Sequence, residues 1–360
     1  MKILIVGNST IGLFKFRKEL ISRILELGNE VVVAVPNDGL VDEIKSLGCS
    51  VRIIDLDRRG KNVFSELKLI FRYKKLIKEE KPDKIITYTI KPNIYCGIIS
   101  RIYKKEFYPN ITGLGTAFQC DSFIKKIVST LYRIAFRNVN KVFFENTQNR
   151  EIFVKEKICN KDKTVVLNGA GVNLEEFKQE SLPSFETINF IFMGRIMKEK
   201  GIEELFYAIK QIKKEYINTN FFILGGFEEN YKEELEKMNK EGLLIYYGIQ
   251  KDVRKYIRKA HCCILPSYHE GMSNTLLECA AMGRALITSN IPGCKEAVID
   301  GKSGFLTEVK NKEDLKEKVL KYINSTNNDR EKMGLLSRKH IENNFDKKEV
   351  IDITFNNILG

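Results

Sequence analysis

Short apolar runs alternate with amphipathic segments of helix length along the whole 360-residue chain. In the first half the runs Lys2–Val6, Glu30–Val35, Val51–Ile54, Lys84–Tyr88, Phe107–Thr112, Lys141–Glu145 and Thr164–Leu167 predict buried strands, and the segments between them suit crossover helices. The pattern restarts at Ile188–Met193 and continues through Asn220–Leu224, Leu243–Tyr246, Cys262–Leu265, Ala285–Thr288 and Gly304–Leu306. Strands alternating with helices predict an α/β protein with a doubly wound, Rossmann-like parallel sheet in each half. Two such sheets in tandem imply a central cleft between them.

The polar, glycine-containing stretch NGAGVNLEEFKQESLPSFE, from Asn168 to Glu186, marks the connection between the halves. The expected domains are 1–172 and 187–340, followed by a helical segment, 341–360, whose apolar residues Val350–Leu359 pack back toward the first domain. No solenoid-type period is present.

Composition narrows the class. With 43% hydrophobic and 30% charged residues the chain is globular, and its length suits two cores better than one. Eight cysteines (Cys49, Cys96, Cys120, Cys159, Cys262, Cys263, Cys279, Cys294) form no CxxC pair and read as reduced thiols of a cytosolic protein. Cys262 and Cys263 with His261 and His269 lack the convergent spacing of a metal site, so no metal is expected. MKILIVG enters a strand directly, without the features of a signal peptide, and no apolar run is long enough to span a bilayer, so a soluble or peripheral protein is expected. The net charge of +13 is uneven: residues 1–180 hold 32 Lys and Arg against 21 Asp and Glu, and the remainder 28 against 26. An acidic partner therefore meets the first half: anionic lipid, a diphosphate-linked lipid or nucleic acid. The segment Phe123–Arg137 has four basic residues, no acid and large apolar residues. It fits either a helix on an anionic membrane or a crossover helix packed on the sheet.

The most informative chemistry lies in SYHEGMSNTLLECAAMG, Ser267–Gly283, where Glu270 precedes a predicted helix and Glu278 lies one turn past Asn274 on the same face. The helix start offers backbone N–H groups at Met272, Ser273 and Asn274 to a diphosphate or sugar oxygens, beside Gly271 and Thr275. Spacing alone is weak, since Glu228 with Glu236 has the same separation in an ordinary charged helix. Gly194, Arg195 and Lys200, in MGRIMKEKG, follow a strand and open a helix, which places two cations where ligands bind in open α/β sheets. They read as a diphosphate clamp or, taken alone, as solvated surface charges. Gly225, Gly248 and Ile249 end further strands and allow backbone to approach a ribose or base; glycine there is also ordinary turn chemistry.

In the first half, GNSTIGLFKFR lacks the G-x-G-x-x-G of a dinucleotide fold. Asn8, Ser9, Gly12 and Arg17 are candidate acceptor contacts, with Arg17 equally a surface charge. Lys91, Thr112 and Gly113 end other strands and offer a charge, a hydroxyl and approachable backbone, although Lys91 also suits a solvated loop. Of the histidines, His261 reads as a core residue and His340 as part of a charged helix. His269, next to Glu270, is placed for a donor contact rather than general-base work.

Taken in order, the first glycine turn, VLNGAGVNLEEF, GRIMKEKG, LPSYHEGMSNTLLECAAMG and ITSNIPGCKEAVIDGKSGFL resemble the family 4 glycosyltransferases of GT-B fold, over nearly the whole chain. The wording is similar to bacterial capsule, exopolysaccharide and glycan-assembly enzymes that extend a lipid-linked sugar. The resemblance implies a metal-independent, retaining transfer from a nucleotide-sugar, UDP being the commonest family choice, without a further cofactor. Arg195 and Lys200 would neutralise the leaving diphosphate, Glu270 with the backbone of Gly271 to Asn274 would hold the donor sugar, and Glu278 the ribose. The first domain would bind the acceptor, a polyprenyl-diphosphate-linked saccharide, at the inner face of the plasma membrane. One departure stands out: Thr112 precedes Gly113 where many members carry a histidine. A nucleotide-sugar 2-epimerase of the same fold, and a nucleic-acid-binding protein using the basic half, are the rival readings. The epimerase would need acid/base groups for proton abstraction, and the nucleic-acid reading leaves Arg195, Lys200 and Glu270 without a role.

Overall fold

The structure, a computed structural model, describes residues 1–55, 63–115, 118 and 123–360; Cys120 lies outside the described residues. The chain divides into two compact units, Met1–Ala170 with Glu349–Gly360, and Gly171–Lys348. The change of unit falls inside the glycine-containing stretch that the sequence marks as a connection.

The first unit runs β1 (Lys2–Val6), α1 (Thr10–Glu26), β2 (Glu30–Val35), α2 (Val41–Ser46), β3 (Ser50–Ile53), α3 (Val63–Glu80), β4 (Lys84–Tyr88), α4 (Ile90–Ile102), β5 (Glu106–Ile111), α5 (Phe123–Phe136), β6 (Val142–Phe144), α6 (Thr147–Lys155) and β7 (Thr164–Val166). Its strands pair in parallel in the order β3-β2-β1-β4-β5-β6-β7. Side chains alternate across a strand, so the sheet builds two cores. Leu4, Val6, Val32, Ile85, Phe107 and Phe144 face α3, α4 and α5, while Ile3, Ile5, Val33, Ile86 and Phe143 face α1.

The second unit runs β8 (Ile188–Met193), α7 (Ile202–Ile212), β9 (Thr219–Leu224), α8 (Lys232–Lys240), β10 (Ile245–Gly248), α9 (Arg254–Ile257), β11 (Cys262–Leu265), α10 (Asn274–Ala281), β12 (Ala285–Ser289), β13 (Gly304–Thr307), α11 (Lys312–Ile323) and α12 (Asn327–Asn344). Its parallel sheet has the order β10-β9-β8-β11-β12-β13. One core, from Phe190 and Phe221 to Leu277 and Tyr322, fills it.

The last helix, α13 (Lys347–Leu359), buries Val350 and Ile358 in the core that contains α1. α12 stays with the second unit up to Asn344, later than the expected boundary at 340, because Ile341 is buried in that unit's core. Among the described residues no helix is long and apolar enough to cross a membrane.

Candidate active site

β8 and β11 are neighbours in the second sheet, and the chain leaves them in opposite directions, toward β9 and toward β12. Such a switch point leaves a crevice at the strands' carboxyl ends, where α/β proteins bind ligands. The two loops that rise there carry the Arg195–Lys200 and Ser267–Asn274 segments.

Backbone-to-backbone contacts lock these loops together. Gly201 has φ +71°, and a Cβ there would lie 2.1 Å from the Pro266 carbonyl oxygen, so only glycine fits. The Tyr268 N–H donates to the Glu199 carbonyl at 2.8 Å, and the Tyr268 hydroxyl reaches buried Glu204 of α7 at 2.7 Å. That registration carries the Lys200 ammonium onto the Glu270 carboxylate, a contact between side chains only 16% and 13% exposed. The Ser267 hydroxyl donates to the same Glu270 oxygen at 2.9 Å.

On the next loop, the Gly293 carbonyl accepts the Ser273 N–H at 2.8 Å, which commits one of the three amides expected to face a ligand. The Met272 side chain lies in the core, leaving its main chain for any contact. Ser273 is the N-cap of α10 but makes no side-chain cap hydrogen bond. Leu276, Leu277, Cys279 and Ala280 are buried, whereas Asn274, Thr275 and Glu278 are partly exposed, so the polar positions form one face as their spacing predicts. The Thr275 hydroxyl donates to the Met193 carbonyl at 3.1 Å, tying this face to the end of β8.

Gly225 (φ +145°) continues the crevice: a Cβ would lie 1.7 Å from the Gly194 carbonyl oxygen. The Tyr246 hydroxyl donates to the Gly225 carbonyl at 2.8 Å, and the Gly225 N–H to the Gly248 carbonyl at 2.9 Å. Exposed Ile249 covers Gly226. Arg195 stands at the rim, 55% exposed and 3.7 Å from Glu228. His269 is exposed beside Glu270. The arrangement therefore holds one part-buried ammonium–carboxylate pair, one exposed guanidinium and an uncapped helix start at the carboxyl ends of β8 and β11. These groups suit an anion bearing hydroxyls.

The first-unit candidates are placed differently. Arg17 is buried, its guanidinium 2.9 Å from Glu145 and stacked on Tyr88, so it is neither a surface charge nor displayed to a ligand. The Lys91 ammonium donates to Glu66 at 2.6 Å, which also accepts from Tyr95. Ser9 uses its hydroxyl to cap α1 at the Gly12 N–H. Asn8, Thr112 and Gly113 sit at the carboxyl ends of β1 and β5, partly exposed. His261 is fully buried and accepts the Asn189 N–H, while His340 contacts the Glu296 carbonyl.

Sequence reasoning passed over Ser267, Tyr268, Glu204, Gly201 and Gly293. Gly201 and Gly293 lie inside the motifs quoted above, but only the folded chain shows which backbone each must clear. It also passed over Thr89, which takes φ +73° between β4 and α4. Among the described residues, no group of three His, Cys, Asp or Glu side chains is placed to share a metal ion.

Comparison with known proteins bears on this site. Residues 174–340 match the model of glycosyl transferases group 1, and residues 2–146 that of the glycosyl transferase 4-like domain. The chain is 27% identical over 338 residues to the N,N'-diacetylbacillosaminyl-diphospho-undecaprenol alpha-1,3-N-acetylgalactosaminyltransferase of Campylobacter jejuni, covering 89% of this chain and 88% of that one. It is 25% identical over 351 residues to the capsular polysaccharide biosynthesis glycosyltransferase CapM of Staphylococcus aureus, covering 92% and 91%. In structure it is similar to Anabaena HepE in complex with UDP and glucose, with a TM-score of 0.81, 15% identity and coverage of 99% and 98%. The relatives named here are transferases, and the epimerase reading is set aside.

Proposed function

We propose that this chain, which belongs to the group 1 glycosyl transferases and is a glycosyltransferase of GT-B fold, moves a sugar from a UDP-sugar onto a saccharide carried on polyprenyl diphosphate. The observation that carries the reading is the part-buried Lys200–Glu270 pair, oriented by Ser267 at the switch point of the second sheet.

The charges suggest how the donor is held. Lys200 and Arg195 meet the diphosphate, where cations stabilise the charge that develops as the sugar–phosphate bond breaks. Glu270 accepts from the sugar hydroxyls, and the main chain from Gly271 to Asn274 donates to the sugar, apart from the Ser273 amide that Gly293 holds. Glu278, on the accessible face of α10, takes the ribose hydroxyls, and the main chain at Gly225, Gly248 and Ile249 flanks the base.

In the transfer, the bond from the anomeric carbon to the β-phosphate oxygen breaks and a bond to the acceptor oxygen forms on the same face. The acceptor proton passes to the departing phosphate oxygen, so the configuration is retained and no side-chain base is required. Two cations do the work of a divalent metal, and the reaction proceeds without one. Acceptor binding falls to the first unit, through Asn8, Thr112 and Gly113 at its strand ends and Gly12 in the first turn of α1. Arg17 is committed to buried Glu145, whereas Lys91, part-buried and paired with Glu66 as Lys200 is with Glu270, offers the acceptor its charge. A basic first unit suits an enzyme peripheral on the inner face of the plasma membrane.

The test is a thermal-shift screen of UDP, GDP and their sugars, repeated with Glu278→Ala, followed by transfer to a polyprenyl-diphosphate-linked sugar with EDTA present. Stabilisation by UDP that Glu278→Ala abolishes, and turnover indifferent to EDTA, support the reading. Stabilisation by GDP alone, or loss of turnover in EDTA, contradicts it.

A further inference from the structure

Like the second sheet, the first has a switch point. β1 and β4 are neighbours, and the chain leaves β1 toward β2 and β4 toward β5, so a crevice opens where residues 7–9 and 89–91 leave the strands. The turn after β4 is the strained one. Thr89 takes φ +73° although it is β-branched, and its hydroxyl oxygen is buried without a hydrogen-bond partner among the described residues. A buried network holds that turn: the Thr87 hydroxyl donates to the Asn93 side-chain oxygen at 2.6 Å, and the Asn93 side-chain N–H donates to the Asn110 carbonyl at 2.9 Å.

Lys91 stands in the first turn of α4, where side chains tilt back toward the helix start and so toward the strand ends. Tyr95 lies one turn further on, on the same face. Glu66, near the start of α3, joins them: one of its oxygens accepts from the Lys91 ammonium at 2.6 Å and the other from the Tyr95 hydroxyl. The Lys91 and Glu66 side chains are 19% and 20% exposed, close to the 16% and 13% of Lys200 and Glu270. Burial and the hydrogen bond to Glu66 push the Tyr95 phenol up, so it stays a donor at neutral pH. Each lysine is thus held by a carboxylate that a hydroxyl orients in turn, Tyr95 standing to Glu66 as Ser267 stands to Glu270. The pair does little to join the helices. Leu69, Tyr73 and Ile77 of α3 already share an apolar cluster with Ile94 and Ile99 of α4, and a desolvated ion pair adds little stability to such packing.

We infer that Glu66 and Tyr95 are positioning residues, which hold the Lys91 ammonium at the switch point of the first sheet for a phosphate group of the acceptor. That the phosphate is the acceptor's rests on the reading above of a diphosphate-linked saccharide. An ammonium carries three N–H donors, so pairing with one carboxylate oxygen is compatible with contact to a phosphate oxygen. The carboxylate has two opposed effects. It weakens the net attraction for an anion, but it fixes a long, flexible side chain that would otherwise lose rotamer freedom when the phosphate binds. Position is therefore what Glu66 supplies, and its charge is dispensable.

Calorimetric titration of the full chain, with UDP present, by a farnesyl-diphosphate-linked N-acetylhexosamine tests this without turnover. Lys91→Ala should weaken binding by about 30-fold, the loss of a charge-assisted contact. Glu66→Ala should weaken it by about tenfold and Tyr95→Phe by about fivefold, since each loosens the lysine. Glu66→Gln should stay within about threefold of the wild type, because its amide can accept from Lys91 and donate to the Tyr95 oxygen. An alkyl glycoside of the same sugar, which has no phosphate, should respond to none of the substitutions, and UDP-induced stabilisation should be the same in all of them. Absence of wild-type binding, wild-type affinity in Glu66→Ala, or equal losses in Glu66→Ala and Glu66→Gln overturns the inference. So does an equal loss for the alkyl glycoside, which marks a merely structural role, or loss of the UDP shift in Lys91→Ala, which gives the phosphate contact to the donor. Transfer assays separate the two readings: turnover that no Lys91 or Glu66 substitution alters removes the positioning role and leaves the transferase assignment, while the expected order of affinities without transfer from any UDP-sugar or GDP-sugar does the reverse.

Discussion

The two units use one architecture to opposite ends. In the second, the strand-end loops are fixed by glycines whose neighbours leave no room for a Cβ, and the charged side chains are held in the crevice they form. In the first, Arg17 is buried against Glu145 under the strand ends and Lys91 is paired with Glu66 of α3, so the charges are fixed by ion pairs between helices and strands rather than by locked glycine loops. A rigid crevice suits a small ligand of constant shape. Parallel sheets dictate where loops go, and the loops' own packing decides what they can recognise.

Four substitutions probe that contrast, the largest effect first and each glycine change beside its control. Lys200→Ala should lower kcat by about 10²–10³-fold while leaving the fold intact, since it removes a charge felt most in the transition state; steady-state kinetics on any accepted donor measures it. Gly225→Ala forces a Cβ into the Gly194 carbonyl and should destabilise the second unit by about 3 kcal/mol, read by urea denaturation, with loss of UDP stabilisation. Gly242→Ala is its control: φ is +72° but nothing lies within 4 Å, so the cost should be only about 1 kcal/mol. In the first unit, Glu145→Ala strands the buried Arg17 guanidinium and should cost about 3 kcal/mol, yet leave the UDP shift unchanged.

The smallest effect is a pH dependence. Burial pushes the His261 imidazole down to about 4, from 6.5 for the free ring. Between those values the unfolded chain binds a proton that the folded one refuses. The stability this residue contributes is therefore full above pH 6.5 and is lost as pH falls toward 4. In His261→Gln, the fall of unfolding temperature across that window should be shallower than in the wild type.

Much of this was legible along the chain because it is local. Each observed strand coincides with an apolar run, within two residues at its ends, and α10 begins at Asn274, where the polar-to-apolar change puts it. The one-sided face of Asn274 and Glu278 follows from helical period alone. The α5 segment admitted two readings, membrane helix or crossover helix; the inner residues Tyr132 and Phe136 do pack on the sheet, and the outer ones remain open to the other reading. Arg17 was the least legible, since one arginine at a helical position looks the same whether its partner is water or a carboxylate 128 residues away.

By itself the sequence determined the alternation of strand and helix, the two-unit division, the chemistry of the Ser267–Gly283 segment and the imbalance of charge. Tertiary structure alone decided that Lys200 meets Glu270 across 70 residues, that Gly201 and Gly225 sit against foreign carbonyls, and that Arg17 is buried against Glu145. The reason is physical. Periodicity and turn chemistry are set by neighbours within a few residues, whereas ion pairing and close backbone approach depend on which distant segments the sheet order brings together.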